Sequence, residues 1–268
     1  MDIKRVAAVF FSPTGSTQKI VLRIAEGTGI PFQQADLTLP EFRRSFRESF
    51  GAEDLVVVGL PVYVGRLPGD LDDFFAGLNG NSTPAAAVVV YGNRDYNDAL
   101  IELRMRLEAR GFVVRSAAAF VAEHTVSSKI AMGRPDANDL AIALDFGRKT
   151  ADCVKRNIFG KLELKGDYPF TWNGFDPNVT PDFPPRPRIT TGDNCTQCKL
   201  CARNCPWAAI DPDDSRRRDY SKCMICQRCL KNCPSHAIQT TGEKWLSYLP
   251  QFEERLSKRR EPELFLPY

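Results

Sequence analysis

Residues 195–206 read Cys195-Thr-Gln-Cys198-Lys-Leu-Cys201-Ala-Arg-Asn-Cys205-Pro206, with four cysteines and a proline in the spacing C-x2-C-x2-C-x3-C-P. The same spacing returns in residues 223–234, where the defined positions are Cys223, Cys226, Cys229, Cys233 and Pro234. An Ala-Ile pair follows each run, at 209–210 and at 237–238. The repeated spacing and the repeated tail indicate an internal duplication.

Cysteines at this density can serve iron-sulfur clusters, zinc ions or disulfide bridges. Structural zinc sites place two ligand pairs on either side of a longer spacer, whereas uninterrupted runs of this spacing are typical of iron-sulfur proteins. Residues 189–240 resemble the bacterial two-cluster [4Fe-4S] ferredoxins. The resemblance implies that the fourth cysteine of each run binds the cluster of the other run. Cluster one would be bound by Cys195, Cys198, Cys201 and Cys233, and cluster two by Cys205, Cys223, Cys226 and Cys229.

Basic side chains outnumber acidic ones around the cysteine runs, since residues 190–241 contain eight Lys and Arg against five Asp. A nearby cation stabilises the reduced form of a cluster, because that form carries more negative charge. No block of like charge in the chain is longer than Arg216-Arg217-Arg218. We interpret this triplet as a solvated turn.

The first 157 residues show a different pattern, in which short apolar runs alternate with helical stretches. Strands are predicted at 3–11, 54–60, 85–91 and 112–120, with a weaker one at 32–35, and helices at 17–26, 70–78, 99–110 and 139–156. Alternation of this kind is the signature of βαβ units. It predicts an α/β domain with a doubly wound, five-stranded parallel sheet.

The loop after the first predicted strand is rich in hydroxyl side chains. It contains Ser12, Thr14, Gly15, Ser16 and Thr17. With the free N–H groups of a helix that begins near Ser16, these hydroxyls suit a phosphate dianion. The loop lacks the Lys-Ser/Thr ending of a P-loop and the pattern G-x-G-x-x-G, so neither an NTPase nor a dinucleotide site is supported. A hydroxyl-rich helix N-cap is the simpler explanation of the same residues.

The pattern S-x-T-G-S-T at 12–17 resembles the phosphate loop of the flavodoxins, which bind FMN at the carboxyl edge of a doubly wound sheet. The resemblance covers residues 1–157 and implies two further flavin loops. The loop after the third strand would contribute Pro61, Val62, Tyr63, Val64 and Gly65. The loop after the fourth strand would contribute Tyr91, Gly92, Asn93, Arg94, Tyr96 and Asp98. Tyr63 is the candidate stacking ring, and Asn93 and Arg94 are candidate partners of the flavin heteroatoms.

Residues 158–188 are rich in proline, glycine and aromatic residues and are predicted to be a linker that packs across a surface. We therefore divide the chain into a flavodoxin-like domain (1–157), the linker (158–188), a small α+β two-cluster domain (189–241) and a C-terminal extension (242–268). In the extension, residues 243–260 could form an amphipathic helix that closes the small domain. No chemistry is assigned to it.

Three features of the first domain leave alternatives open. The segment 123–136 is longer than a usual connection and could cover the flavin or seat the small domain, of which we favour the second. His124 could donate a proton to a substrate, although a packing role is favoured. Cys153 falls at helical spacing with apolar residues and is predicted to be a buried thiol.

Charge and hydropathy limit the classes of partner. A net charge of +3 over 268 residues gives no support for a nucleic-acid partner. The longest nearly apolar stretch, 55–64, is about half the length of a membrane span, and the N-terminus lacks the pattern of a secretory signal. A cytoplasmic protein without membrane insertion is expected.

The two halves together resemble the flavodoxin-ferredoxin fusion proteins. This resemblance implies FMN and two [4Fe-4S] clusters in an electron-transfer protein that serves redox partner proteins. The alternative is an FMN-dependent oxidoreductase that reduces a small molecule with electrons from the clusters. The absence of a defensible acid-base pair favours the carrier. The sequence leaves the catalytic residues, the electron donor and acceptor, the direction of flow and the oligomeric state open.

Overall fold

The computed structural model describes residues 2–69, 71–158, 160–170 and 185–267. Its strands are β1 (Arg5–Phe10), β2 (Phe32–Asp36), β3 (Glu48–Phe50), β4 (Asp54–Pro61), β5 (Leu78–Gly80), β6 (Thr83–Tyr91), β7 (Phe112–Val121), β8 (Arg188–Thr191), β9 (Ile238–Thr241) and β10 (Glu263–Phe265). Its helices are α1 (Ser16–Gly27), α2 (Pro40–Ser45), α3 (Asp72–Ala76), α4 (Ala99–Glu108), α5 (Ala137–Lys155), α6 (Leu200–Arg203), α7 (Arg228–Lys231) and α8 (Glu243–Arg255).

The main sheet has the strand order β10-β7-β6-β4-β1-β2. The five strands β2, β1, β4, β6 and β7 pair in parallel. Their order corresponds to 2-1-3-4-5, which is the order of the flavodoxin-like doubly wound fold. The predicted α/β fold with a five-stranded parallel sheet is therefore confirmed.

A sixth strand differs from the prediction. β10 pairs antiparallel with β7, so the last residues of the chain cover an edge that would otherwise expose unpaired backbone groups. Two short parallel strands, β3 and β5, form a separate small sheet that the sequence pattern did not indicate. The predicted extension therefore belongs in part to the first domain.

Apolar residues fill both faces of the sheet. On one face, Ile20, Val21 and Ile24 of α1 pack with Phe146 of α5, all fully buried. On the other, α4 contributes Leu100, Leu103 and Leu107. The helices α1 and α5 approach closely because Gly147 faces the backbone of α1, where an added Cβ would lie 1.9 Å from the Ile24 carbonyl oxygen. Burial on both faces explains why the strands are continuous apolar runs.

The cysteine-rich domain is closed by the antiparallel pair β8 and β9. Its two halves repeat in structure as well as in sequence. The helices α6 and α7 occupy matching positions, and each follows a residue with positive φ, Lys199 at 63° and Gln227 at 64°. The duplication seen in the sequence is thus present in the backbone.

The helix α8 begins where the sequence predicts it and ends five residues before the predicted 260. It packs against the segment 123–136 of the first domain. Trp245, Phe252 and Leu256 form a buried cluster with Ile130. Ser127 and Lys129 both donate hydrogen bonds to the Glu253 carboxylate.

The linker is described in part. Leu162 is buried in the core of the first domain, and the Arg66 guanidinium lies 4.0 Å from the centre of the Phe170 ring. Three further aromatic residues of the linker, Trp172, Phe175 and Phe183, lie outside the described residues. In the described part of the chain, no helix combines the length and the apolar character needed to cross a bilayer.

Candidate functional site

A cavity of about 550 Å³ opens at the carboxyl edge of the parallel sheet. Its wall includes Thr14, Ser16 and Thr17 after β1, residues 61–64 after β4, and Tyr91, Gly92 and Arg94 after β6. Residues 123–126 after β7 complete this side. The sheet therefore brings the three predicted loops to one cavity, whose volume is within the range of about 300–1,000 Å³ that small-molecule sites occupy.

The first loop is shaped by its backbone. Gly15 has a φ of 88° and occupies the N-cap of the 12-residue helix α1, where it has no side chain to offer to the first N–H groups. Ser12 braces the loop, because its hydroxyl accepts a hydrogen bond from the Gln18 N–H at 3.0 Å. Arg228 of the cysteine-rich domain holds the loop from outside by donating to the Pro13 carbonyl at 2.8 Å.

The second loop carries Tyr63 between the two domains. The Tyr63 and Arg66 backbones exchange hydrogen bonds of 3.0 and 3.1 Å, which fixes a tight turn. The Tyr63 ring lies 6.1 Å from that of Trp207, in an edge-to-face arrangement. Burial, together with the nearby Cys226 sulfur, raises the pKa of Tyr63 well above its ordinary value. The phenol therefore stays neutral.

The residues of the third loop have two different roles, since some line the cavity and others hold parts of the fold together. Tyr91, Gly92 and Arg94 line the cavity, whereas Asn93, Tyr96 and Asp98 do not. The Asn93 amide donates to the carbonyls of Leu256 and Lys258, at 2.8 and 2.9 Å. These bonds attach the C-terminal segment to the first domain.

Tyr96 and Asp98 have structural contacts of their own. Tyr96 is fully buried and donates its hydroxyl to Glu263 at 2.7 Å. Asp98 precedes α4 and accepts the Asp167 N–H at 3.1 Å. Gly65 and Gly15 lie in the predicted loops but outside the cavity wall, as does Ser12.

The cavity has a roof that sequence reasoning missed. It includes Trp245 and Phe252 of α8, and Pro185 and Pro187 at the end of the linker. The Trp245 side chain is buried, and its indole N–H has no hydrogen-bond partner among the described residues. The amphipathic pattern of 243–260 predicts the helix, but not the domain on which it lies.

His124 also lines the cavity and contacts both the third loop and the roof. An added Cβ on Gly92 would lie 2.6 Å from the His124 ring, so Gly92 makes room for the imidazole. The ring packs edge-to-face against Phe252 at 5.3 Å. Burial, and secondarily the charge of Arg94, lowers the pKa of His124 to about 4. The segment 123–136 thus lines the cavity and seats α8, while Glu123 pairs with Lys231 of the small domain at 3.0 Å.

The eight clustered cysteines line two small cavities. Cys195, Cys198, Cys201 and Cys233 line the first, which we call the cluster-one site. Cys205, Cys223, Cys226 and Cys229 line the second, which we call the cluster-two site. In each site, three sulfurs come from one run and the fourth from the other. No group of three or more His, Cys, Asp or Glu side chains within the described ranges is arranged to hold a single metal ion.

The recurring Ala-Ile pair has a role in these sites. The Ala209 N–H donates to the Cys205 sulfur and the Ala237 N–H to the Cys233 sulfur, each at 3.3 Å. Such bonds stabilise a thiolate. Burial raises the pKa of Cys226 to about 12, and coordination to a cation acts in the opposite direction by favouring the thiolate. Four thiols in each site, one of them with a backbone donor, fit an iron-sulfur cluster.

One chain segment separates the large cavity from the cluster-two site. Met224 and Ile225, between the ligand candidates Cys223 and Cys226, line both spaces. Ile225 has a φ of 55°, a conformation that strains a β-branched residue and that the turn around the cysteines imposes. Trp207, beside Tyr63, lines the cluster-two site as well.

Parts of the chain are similar to known proteins. Residues 194–237 match the family of the 4Fe-4S dicluster domain. Among solved structures, a flavodoxin from the domain Archaea is 16% identical, with a TM-score of 0.40 over 56% of this chain and 99% of that one. Oxidised Flavodoxin 2 from Bacillus cereus is also 16% identical, with a TM-score of 0.39 over 55% and 98%. None of the curated proteins matches the chain.

These identities and TM-scores are too low to assign the first domain. It is assigned as flavodoxin-like from the order of its parallel strands, 2-1-3-4-5. The chain combines a flavodoxin-like α/β domain with a 4Fe-4S dicluster segment.

Proposed function

We propose that this chain is an electron-transfer protein that binds FMN in the large cavity and two [4Fe-4S] clusters on the two cysteine sites, and that serves redox partner proteins. The observation that carries the proposal is the shared wall of Met224 and Ile225. It brings a cavity of the right size and chemistry for a flavin next to a site of four cysteines.

The residues of the cavity fit FMN at both of its ends. Thr14, Ser16, Thr17 and the N–H groups of Ser16 and Thr17 at the start of α1 would hold the phosphate. Residues 61–64 and Tyr91 offer mainly apolar and aromatic surface for the ring system, and the Trp245 N–H offers a buried donor in need of an acceptor. When bound, FMN would supply the exchange between two-electron and one-electron carriers. The protein would hold it and exclude water from it.

A second candidate function is the reduction of a small molecule in the same cavity. His124 favours it, because its Nδ1 accepts the Val126 N–H at 3.3 Å, which leaves the proton on Nε2 of a neutral ring. A neutral imidazole on a cavity wall can donate a hydrogen bond to a bound substrate.

The test is an anaerobic titration of the purified, cluster-loaded protein. FMN and iron are first quantified, with one FMN and eight irons expected per chain from two [4Fe-4S] clusters. NADH, NADPH, dithionite and a reduced ferredoxin are then added separately while flavin absorbance and cluster EPR are followed. Reduction by ferredoxin or dithionite alone supports the carrier. Rapid bleaching by a nicotinamide would favour the reductase, and a protein that binds no flavin would refute both.

A further inference from the structure

The two cysteine sites are alike in spacing but differ in the charge beside them. The wall of the cluster-one site contains no Lys or Arg among the described residues, and its polar members include Ser215 and Ser235. The wall of the cluster-two site contains Arg218. The Arg218 Nη1 lies 3.6 Å from the Cys229 sulfur, and its Nη2 is buried without a hydrogen-bond partner among the described residues.

The place of Arg218 follows from the fold of the loop between the two runs. Arg218 forms a β-bridge with Ile210, which turns the Arg218 side chain toward the second run. Its neighbour Arg217 remains exposed and pairs with Asp211 and Asp214. The triplet interpreted as a solvated turn is therefore solvated at Arg216 and Arg217 only.

The internal repeat provides the comparison. Arg218 precedes Cys223 by five residues, and Thr190, an exposed and uncharged residue, precedes Cys195 by the same number. The duplication thus places a cation beside one cluster site and a neutral side chain at the matching position of the other.

We propose that Arg218 makes the cluster at the cluster-two site the more easily reduced of the two. A guanidinium close to a ligand sulfur stabilises the extra negative charge of a reduced cluster, and burial protects the interaction from screening by salt. One electron then passes from the reduced cluster one to the oxidised cluster two, and no proton is needed. Since the cluster-two site shares a wall with the large cavity, the electron settles next to the flavin. This inference rests on the proposed function.

The test is a dithionite titration of the full chain, in which EPR of partly reduced samples gives the share of reduced cluster at each site. A Cys205→Ser variant identifies the signal of cluster two. Cluster two is expected to be reduced first. In Arg218→Gln, the ratio of reduced cluster two to reduced cluster one should fall about tenfold. This change is equivalent to about 59 mV for a one-electron couple.

Two controls separate this effect from others. Arg218→Lys keeps the charge and should retain most of the difference between the clusters. Arg216→Gln removes a cation of the same loop that makes no hydrogen bond to a cysteine among the described residues, and it should change little. First reduction of cluster one, an unchanged share in Arg218→Gln, or an equal loss in Arg216→Gln would overturn the inference. A protein with fewer than two clusters by iron and sulfide analysis would refute the proposed function itself.

Discussion

The two cysteine runs and the loop after β6 are both prominent in the sequence, but the fold uses them differently. All eight cysteines of the runs line the two cluster sites. In the loop after β6, Tyr91, Gly92 and Arg94 line the large cavity, whereas Asn93 and Tyr96 hold the C-terminal segment. The spacing of the cysteines predicts the two sites that they line. The role of each residue in a loop at a sheet edge depends instead on segments that are distant in sequence.

The largest expected effect is at the crossed position of the first run. Cys205 is the member of the cluster-two site that comes from the other run. Cys205→Ser should remove or convert the cluster at that site and leave cluster one in place, because a [4Fe-4S] cluster requires four ligands. Iron analysis and EPR give the result. Cys153→Ser is the control, since Cys153 is buried in α5 away from both sites.

Loss of cluster one alone in Cys205→Ser would contradict the crossed arrangement. It would mean that each run binds its own cluster. The cysteine sites, like the roles of the residues in the loop after β6, would then not follow from the sequence pattern. A protein that loses both clusters would show that the two sites fold as one unit.

The parts of the molecule that the sequence predicts are those that depend on local pattern. The parallel strands, their helices and the cysteine sites follow from apolar runs and from spacing. The pairing of β10 with β7 was missed because three residues, Glu263–Phe265, carry no strand signal and meet their partner from far along the chain. Trp245 and Met224 were missed as cavity residues for the same reason. Their positions depend on how the domains pack.

The next largest expected effect is a loss of stability when Asn93 is replaced. Its side chain makes two donor bonds to carbonyls of residues 256 and 258 and accepts the Arg260 N–H at 3.2 Å. Its φ of 61° also favours Asn over Ala. Asn93→Ala should lower the free energy of unfolding by about 2–4 kcal/mol, because it leaves buried groups unpaired.

Urea unfolding of the apo protein measures this loss, and limited proteolysis shows whether the segment after residue 255 becomes accessible. Asn81→Ala, at an exposed position before β6, should change the unfolding free energy by less than about 0.5 kcal/mol. If Asn93→Ala left stability unchanged but weakened flavin binding, Asn93 would belong to the cavity, as the sequence pattern predicted.

Substitutions in the first loop, after β1, should weaken FMN binding and not the stability of the fold. Thr14→Val combined with Thr17→Val keeps the shape of both side chains and removes two hydroxyls from the cavity wall. FMN affinity should fall at least about tenfold, since hydrogen bonds to a charged group contribute about 1.5–3 kcal/mol each. Equilibrium dialysis or flavin fluorescence measures the affinity, and Thr190→Val is the control. Unchanged flavin occupancy would place the phosphate elsewhere.

The smallest effect tests the division within the third loop. The Tyr96 hydroxyl donates to Glu263 of β10, and burial together with this carboxylate raises the pKa of Tyr96, so the phenol remains a donor throughout the ordinary pH range. Tyr96→Phe should cost about 1 kcal/mol of unfolding free energy, the usual contribution of one hydrogen bond, and should leave FMN affinity unchanged.

Tyr63→Leu should have the reverse effect. It should weaken FMN binding with little effect on the free energy of unfolding, because Tyr63 lies on the cavity wall. Both tyrosines follow parallel strands and look equivalent in sequence. Equal effects of the two substitutions on FMN affinity would show that β10 positions the third loop for the flavin, and the division between cavity and fold would then disappear.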